Sequence, residues 1–130
     1  MALIDEPHEI LYRSVFSIDE LVWDEEFYRP SPVVFKDRNN SGLSVVKRGK
    51  RSEKETISAL KEKLILTQAV VKISVKSCVE AKTYPFDKPT RKDSYHAEIW
   101  NSKTEKFIES SKRYELAQKA EVVDIIENQN

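Results

Sequence analysis

The stretch SEKETISALKEKLILTQAVVKISV, residues 52–75, holds a helix and a strand back to back. Ser52 and Glu55 have the spacing of a capping box, in which each side chain satisfies the other residue's backbone donor. Behind that cap, Ile57, Leu60, Leu64 and Ile65 fall on one helical face, with Glu and Lys on the other. After Thr67-Gln68, the run Ala69 to Val75 alternates, and its β-branched content suits a central strand. A capped helix feeding a central strand points to an α+β domain.

Working toward the N-terminus, Leu43 to Val46 reads as a strand delivered by the turn Asp37 to Gly42. Val33-Val34-Phe35 is a brief strand or a turn. Trp23 to Pro32 is loop-like, because Pro30 and Pro32 fix an extended backbone. Ser17 caps a short helical turn ending at Leu21, and Ile10 to Phe16 forms a first strand. Toward the C-terminus, Ser77 to Lys82 makes one helical turn, and Thr83 to Asp93, with Pro85 and Pro89, crosses as an irregular loop. Tyr95 to Trp100 alternates as a strand with one wet face. Thr104 to Ile108 reads equally as a strand or a helix start. Lys112 to Val123 is a second helix, with Leu116, Ala117, Ala120 and Val123 as its apolar stripe. The expectation is one domain over 1–130, with 1–8 and 124–130 as loose ends. Within it a small mixed or antiparallel sheet is packed on one face by two main helices.

The totals narrow the function classes. Lys and Arg number 22 and so do Asp and Glu, so the net charge is zero. A dedicated nucleic-acid binder more often carries a basic surplus, although local clustering counts for more than the total. Cys78 is the single cysteine, so no internal disulfide forms, and no apolar run resembles a signal peptide or a membrane span. These features suit a cytoplasmic protein. His8, His96 and Cys78 lack the clustered spacing of a zinc site, and no Asp-rich loop suggests calcium. Gly42 and Gly49 are the only glycines, which excludes a glycine-rich phosphate loop. Neither a metal nor a cofactor is expected.

Three stretches carry candidate chemistry. Lys47-Arg48-Gly49-Lys50-Arg51 precedes the capped helix, where side chains and helix-terminal amides together would hold a phosphate or nucleic acid. Read blandly, it is a solvated turn. Arg29 to Asp37 presents Arg29, Ser31 and Lys36 on a proline-stiffened backbone, the kind of loop that carries binding residues. The alternative is an Arg29 paired with Asp24 or Glu26. His96 stands on a strand and is a candidate ligand contact or general base, or else a hydrogen-bonded structural residue. Cys78 reads as a buried thiol, and Trp23 and Trp100 as packing residues.

Arg13, Arg29-Pro30-Ser31, Phe35-Lys36-Asp37, Gly42-Leu43-Ser44-Val45 and His96-Ala97 follow one order and spacing. In this the chain resembles an uncharacterised family of small bacterial proteins with an RPS…FKD…LSV…HA pattern, over about residues 10 to 123. The resemblance implies positions and no chemistry: Arg13, Arg29, Ser31, Lys36, Ser44 and His96. This chain departs from the pattern by extra residues after Trp100 and by Pro32 in place of a small polar residue. Leu11-Tyr12-Arg13 also resembles the opening strand of NAD-using ADP-ribosyltransferase-like toxins, including the RES type. That likeness would set Arg13 against a phosphate of NAD and Ser44 on a core strand. The only Glu-x-Glu, Glu53-Lys54-Glu55, sits at a helix start rather than at the strand end those enzymes use.

Three functions follow as expectations. One is a non-catalytic binding protein for an anionic small molecule or nucleic acid, with Arg13, Arg29, Ser31, Lys36, Ser44 and His96 lining a polar cleft. Another is an enzyme acting on NAD or a nucleotide through His96 or a glutamate. The last is an accessory subunit docking on a protein partner through the acidic segment 19–26 or an exposed sheet edge.

Overall fold

A computed structural model describes residues 1–126. Its principal sheet contains β1 (Ala2–Leu3), β2 (Ile10–Val15), β5 (Leu43–Lys47), β6 (Ala69–Ser74), β7 (Tyr84–Asp87), β8 (His96–Trp100) and β9 (Glu121–Ile125). The spatial order is β1-β7-β8-β5-β2-β6-β9, and every neighbouring pair is antiparallel. A separate hairpin pairs β3 (Leu21–Asp24) with β4 (Phe27–Pro30). The helices are α1 (Glu53–Lys63), α2 (Val75–Glu80) and α3 (Ser110–Lys119). The chain is therefore α+β.

Helix α1 begins as its sequence dictates. Ser52 Oγ accepts from the Glu55 amide at 3.1 Å, and Glu55 Oε1 accepts from the Ser52 amide at 3.0 Å. Leu60 packs with Tyr12, Val46 and Val70, with Ile57 and Leu64 at the margin. Ile65 lies past the Leu64 cap and is 82% exposed, so the helical face ends one residue sooner than its spacing implies.

The two main helices lie on opposite faces of the sheet, not on one. Odd positions of β2 and β6, such as Leu11, Val71 and Ile73, join Leu116 and Ala117 of α3 in the larger core. Even positions, Tyr12 and Val70, face α1. Burial on both faces explains why Leu11-Tyr12 and Val70-Val71 are continuously apolar. The same double burial removes the expected wet face of β8, where Ala97 through Trp100 are all buried, Glu98 included.

Three regions that read as something else contain strands. The presumed loop 23–32 is largely the β3–β4 hairpin, whose turn uses Glu25 at φ 55°. β7 lies inside the presumed crossing loop despite Pro85. The Pro85 carbonyl accepts from the Ile4 amide at 2.9 Å, so its missing N–H faces the end of the two-residue β1, where no ladder donor is required. Helix α3 stops at Lys119, and Val122 and Val123 belong to β9, where β-branched side chains are at home. Residues 104–108 form neither strand nor helix; Ser102 Oγ accepts from the Thr104 and Glu105 amides and closes a turn.

Both ends expected to be loose are paired. Ala2-Leu3 joins β7, and Asp124-Ile125 joins β6, with Asp124 also taking the Lys61 ammonium at 2.9 Å. Backbone pairing holds Ala2-Leu3, whose side chains stay exposed, whereas Val122 and Ile125 also pack against the larger core. The remaining stretch, 127–130, lies outside the described residues. No helix among the described residues is long and apolar enough to cross a membrane.

Gly42 is the tightest point. Its φ is +98°, and an added Cβ would run into Glu98 Oε1. Gly42→Ala should therefore cost about 2 kcal/mol or more, read as a lowered urea midpoint with an unchanged slope. A second expectation concerns acid. Lys72 donates to Glu53 at 2.9 Å and Tyr12 donates to the same oxygen at 3.0 Å. The Lys72 bond foremost holds the Glu53 carboxyl below its usual 4.5, so this contact contributes above that value and is lost as pH falls through the lower folded one. Melting temperature should drop between about pH 5 and about pH 3, and Glu53→Gln should flatten that limb.

Candidate functional site

β2 and β5 part company partway along their length. They pair only at Leu11↔Lys47 and Tyr12↔Val46, whereas β2 and β6 remain paired from Ile10 to Val15. Arg13 lies where the fork opens. Its Nη1 donates to the Ser44 carbonyl at 2.8 Å, and its Nε donates to the Val34 carbonyl at 2.7 Å. The guanidinium thus replaces a ladder partner and latches the 3-10 turn Pro32–Phe35 onto the sheet. Burial pushes its pKa down to about 10, with Glu20 and Asp37 opposing, so it remains charged at neutral pH.

The fork opens on both faces. On the α3 side is a cavity of about 230 Å³ whose walls include Arg13, Glu20, Lys36, Arg38 and Ser44. On the α1 side is one of about 240 Å³, walled by Phe16, Val46, Leu60 and Leu64, with Arg13, Ser44 and His96 also lining it. In that second cleft His96 Nδ1 lies 2.9 Å from the Lys88 carbonyl, and Nε2 lies 3.4 Å from Ser44 Oγ. Ser44 is exposed and His96 half-buried.

The other expected members go elsewhere. Arg29 pairs with Asp24 at 3.1 Å on the hairpin and lines neither cavity, and Ser31 heads the 3-10 turn. The six residues therefore do not form one pocket: Arg13 and Ser44 reach both cavities, Lys36 only the α3 side and His96 only the α1 side. Hairpin geometry decides the matter for Arg29, because the register sets Asp24 and Arg29 on one face within reach.

The basic cluster is largely spent internally. Arg51 donates to the Lys47 and Arg48 carbonyls and its guanidinium stacks 3.6 Å from the Tyr95 ring centre. Lys47 stands 2.8 Å from Asp87 Oδ1, an ion pair by distance whose angle falls outside hydrogen-bonding geometry. Arg48 is half-buried and Lys50 exposed. The α1 terminus beside them already carries its own carboxylates, Glu53 and Glu55, the latter bonded to Ser52. An incoming anion meets an occupied site there.

Two buried carboxylates, Asp37 and Glu98, serve the framework. Asp37 accepts from the Ser41 and Gly42 amides at 3.3 and 2.6 Å and shapes the loop ahead of Ser44. Its place before Asn39-Asn40-Ser41-Gly42 is the sequence signal for such a turn. Glu98 stands opposite Ser44 in the β5–β8 register, accepting from Trp100 Nε1 at 2.9 Å and pairing with Lys88 at 3.1 Å. Nothing in the sequence marks that burial. Glu55, within the Glu-x-Glu, caps its own helix and lines neither cavity. Cys78 is fully buried and its thiol is pushed up to about 12 by that burial, so it is no nucleophile. Trp23 is 58% exposed and packs edge-on against Tyr28, while Trp100 is buried beside Phe86. Among the described residues no three His, Cys, Asp or Glu side chains cluster to hold a metal.

Arg13 and Arg29 should behave oppositely on substitution. Arg13→Leu strips a partner from the Val34 carbonyl and should cost about 2 kcal/mol, whereas Arg29→Ala breaks an exposed ion pair and should cost about 0.5 kcal/mol. Chemical denaturation of the two variants measures the difference.

Scans of the chain against protein-family models, curated proteins and solved structures return no match, so the functional reading rests on the geometry of the fork.

Proposed function

We propose that this protein binds a small anionic molecule with an apolar body in the α1-side cleft of the fork. What carries the reading is the convergence of Arg13, Ser44 and His96, from β2, β5 and β8, on one cleft with apolar walls. A concave site with apolar walls and a few converging polar groups is the usual form of a small-molecule site. Arginine suits an anionic guest because its guanidinium keeps its positive charge at neutral pH. Two of its nitrogens already hold carbonyls. The other terminal nitrogen makes no hydrogen bond to the described residues. Ser44 and His96 supply orientation, and Phe16, Leu60 and Leu64 supply contact area.

Nucleic acid fits less well, since charge is balanced overall and Lys47 and Arg51 are engaged within the fold. The guest is a single small anion.

Titration with benzoate, phenyl phosphate and inorganic phosphate, followed by thermal shift and by the His96 ring resonances, tests the reading. Benzoate or phenyl phosphate should raise the melting temperature and move the His96 signals more than phosphate alone. Ser44→Ala and His96→Ala should each weaken binding by about fivefold or more, the worth of one lost hydrogen bond, while Lys36→Ala leaves it unchanged. Affinity indifferent to Ser44 and His96 would overturn the assignment of this cleft.

A further inference from the structure

The Ser44–His96 contact has a directionality that simple ligand binding does not require. A main-chain carbonyl only accepts, so the 2.9 Å contact from His96 Nδ1 to the Lys88 carbonyl places the ring hydrogen on Nδ1. In the neutral ring the Nε2 lone pair is then left facing Ser44 Oγ, 3.4 Å away. The arrangement is held from both sides. The Lys88 amide donates to the His96 carbonyl at 3.1 Å, tying orienting group and ring together through the backbone. Val46↔His96 and Ser44↔Glu98 are successive partners on one face, which makes Ser44 and His96 diagonal neighbours across two rigid strands. Arg13 Nη1 binds the carbonyl of Ser44 itself, so a fixed positive charge sits against the residue bearing the hydroxyl.

A hydroxyl, a base whose tautomer is set by a third group, and a cation beside them are the parts of an activated nucleophile. Building on the anion-binding reading of the cleft, we propose that Ser44 is a nucleophile and His96 its general base, acting on small carboxylic esters with an apolar acyl group. Ser44 Oγ forms a bond to the ester carbonyl carbon while its proton passes to His96 Nε2, and the carbonyl π pair moves onto oxygen. Collapse of that adduct breaks the bond to the leaving oxygen, which takes the proton from Nε2 and departs as the alcohol. Water then attacks acyl-Ser44 with His96 again taking a proton, which returns to Ser44 Oγ as the acyl bond breaks. The net change is ester plus water to carboxylate, alcohol and a proton. The carboxylate is an anion of the class the cleft is built to hold.

Intact-mass spectrometry of the full chain incubated with an alkyl fluorophosphonate, a serine-directed phosphorus electrophile, tests the assignment. One adduct per chain should form at Ser44, vanish in Ser44→Ala, slow by about tenfold or more in His96→Ala, and persist at the parental rate in Lys36→Ala. Circular dichroism confirms that each variant is folded. The proposal falls if the folded parent gives no adduct, if the adduct maps to another residue, or if His96→Ala labels at the parental rate. Benzoate binding without an adduct would defeat the nucleophile and leave the binding reading standing; an adduct at Ser44 without benzoate binding would do the reverse.

Discussion

A sheet whose central strands diverge leaves main-chain carbonyls without ladder partners, and such groups are costly to bury alone. Here one guanidinium solves the problem on two sides at once. Arg13 accepts the role of a missing strand for Ser44 and anchors the Val34 carbonyl of the 3-10 turn. Because that turn also carries Val34 and Phe35 into the larger core, the fork, the turn and the packing beneath α3 stand or fall together. The cavities on either face are by-products of the same divergence.

Layering amplifies this dependence. With α1 on one face and α3 on the other, β2 is enclosed on both, and its side chains alternate between two cores. A polar group on such a strand needs an internal partner. Tyr12 finds Glu53, which Lys72 also holds, and Ser14 accepts from Thr67 at 2.9 Å. Arg13 belongs to this set by position. It differs in having a nitrogen to spare.

Legibility in the sequence followed locality. The capping box of α1 involves residues three apart and was visible, as were the β-branched runs of β2, β5 and β6. β7 was hidden by Pro85, whose tolerance depends on how short its neighbour β1 is, a fact about pairing and not about the residue. β9 was hidden because the spacing of Leu116, Ala117 and Ala120 continues to Val123 as if the helix did. At the site, Arg13, Ser44 and His96 were identifiable as residues of interest, but their grouping was not. Arg29 looked equally suitable, and only the hairpin register, which sets it beside Asp24, removes it. The orientation of His96 by the Lys88 carbonyl has no side-chain signature at all.

The strand order has a kinetic consequence. In β1-β7-β8-β5-β2-β6-β9, only β7 and β8 are adjacent both in the chain and in the sheet. Every other junction must close a large loop before it gains any contact energy, so entropy is spent early and recovered late. Such a topology has high contact order, and a domain of this kind folds on the slow side, in milliseconds to seconds rather than microseconds. During synthesis, β2 must wait for β5 and β6 to leave the ribosome before both of its edges are covered.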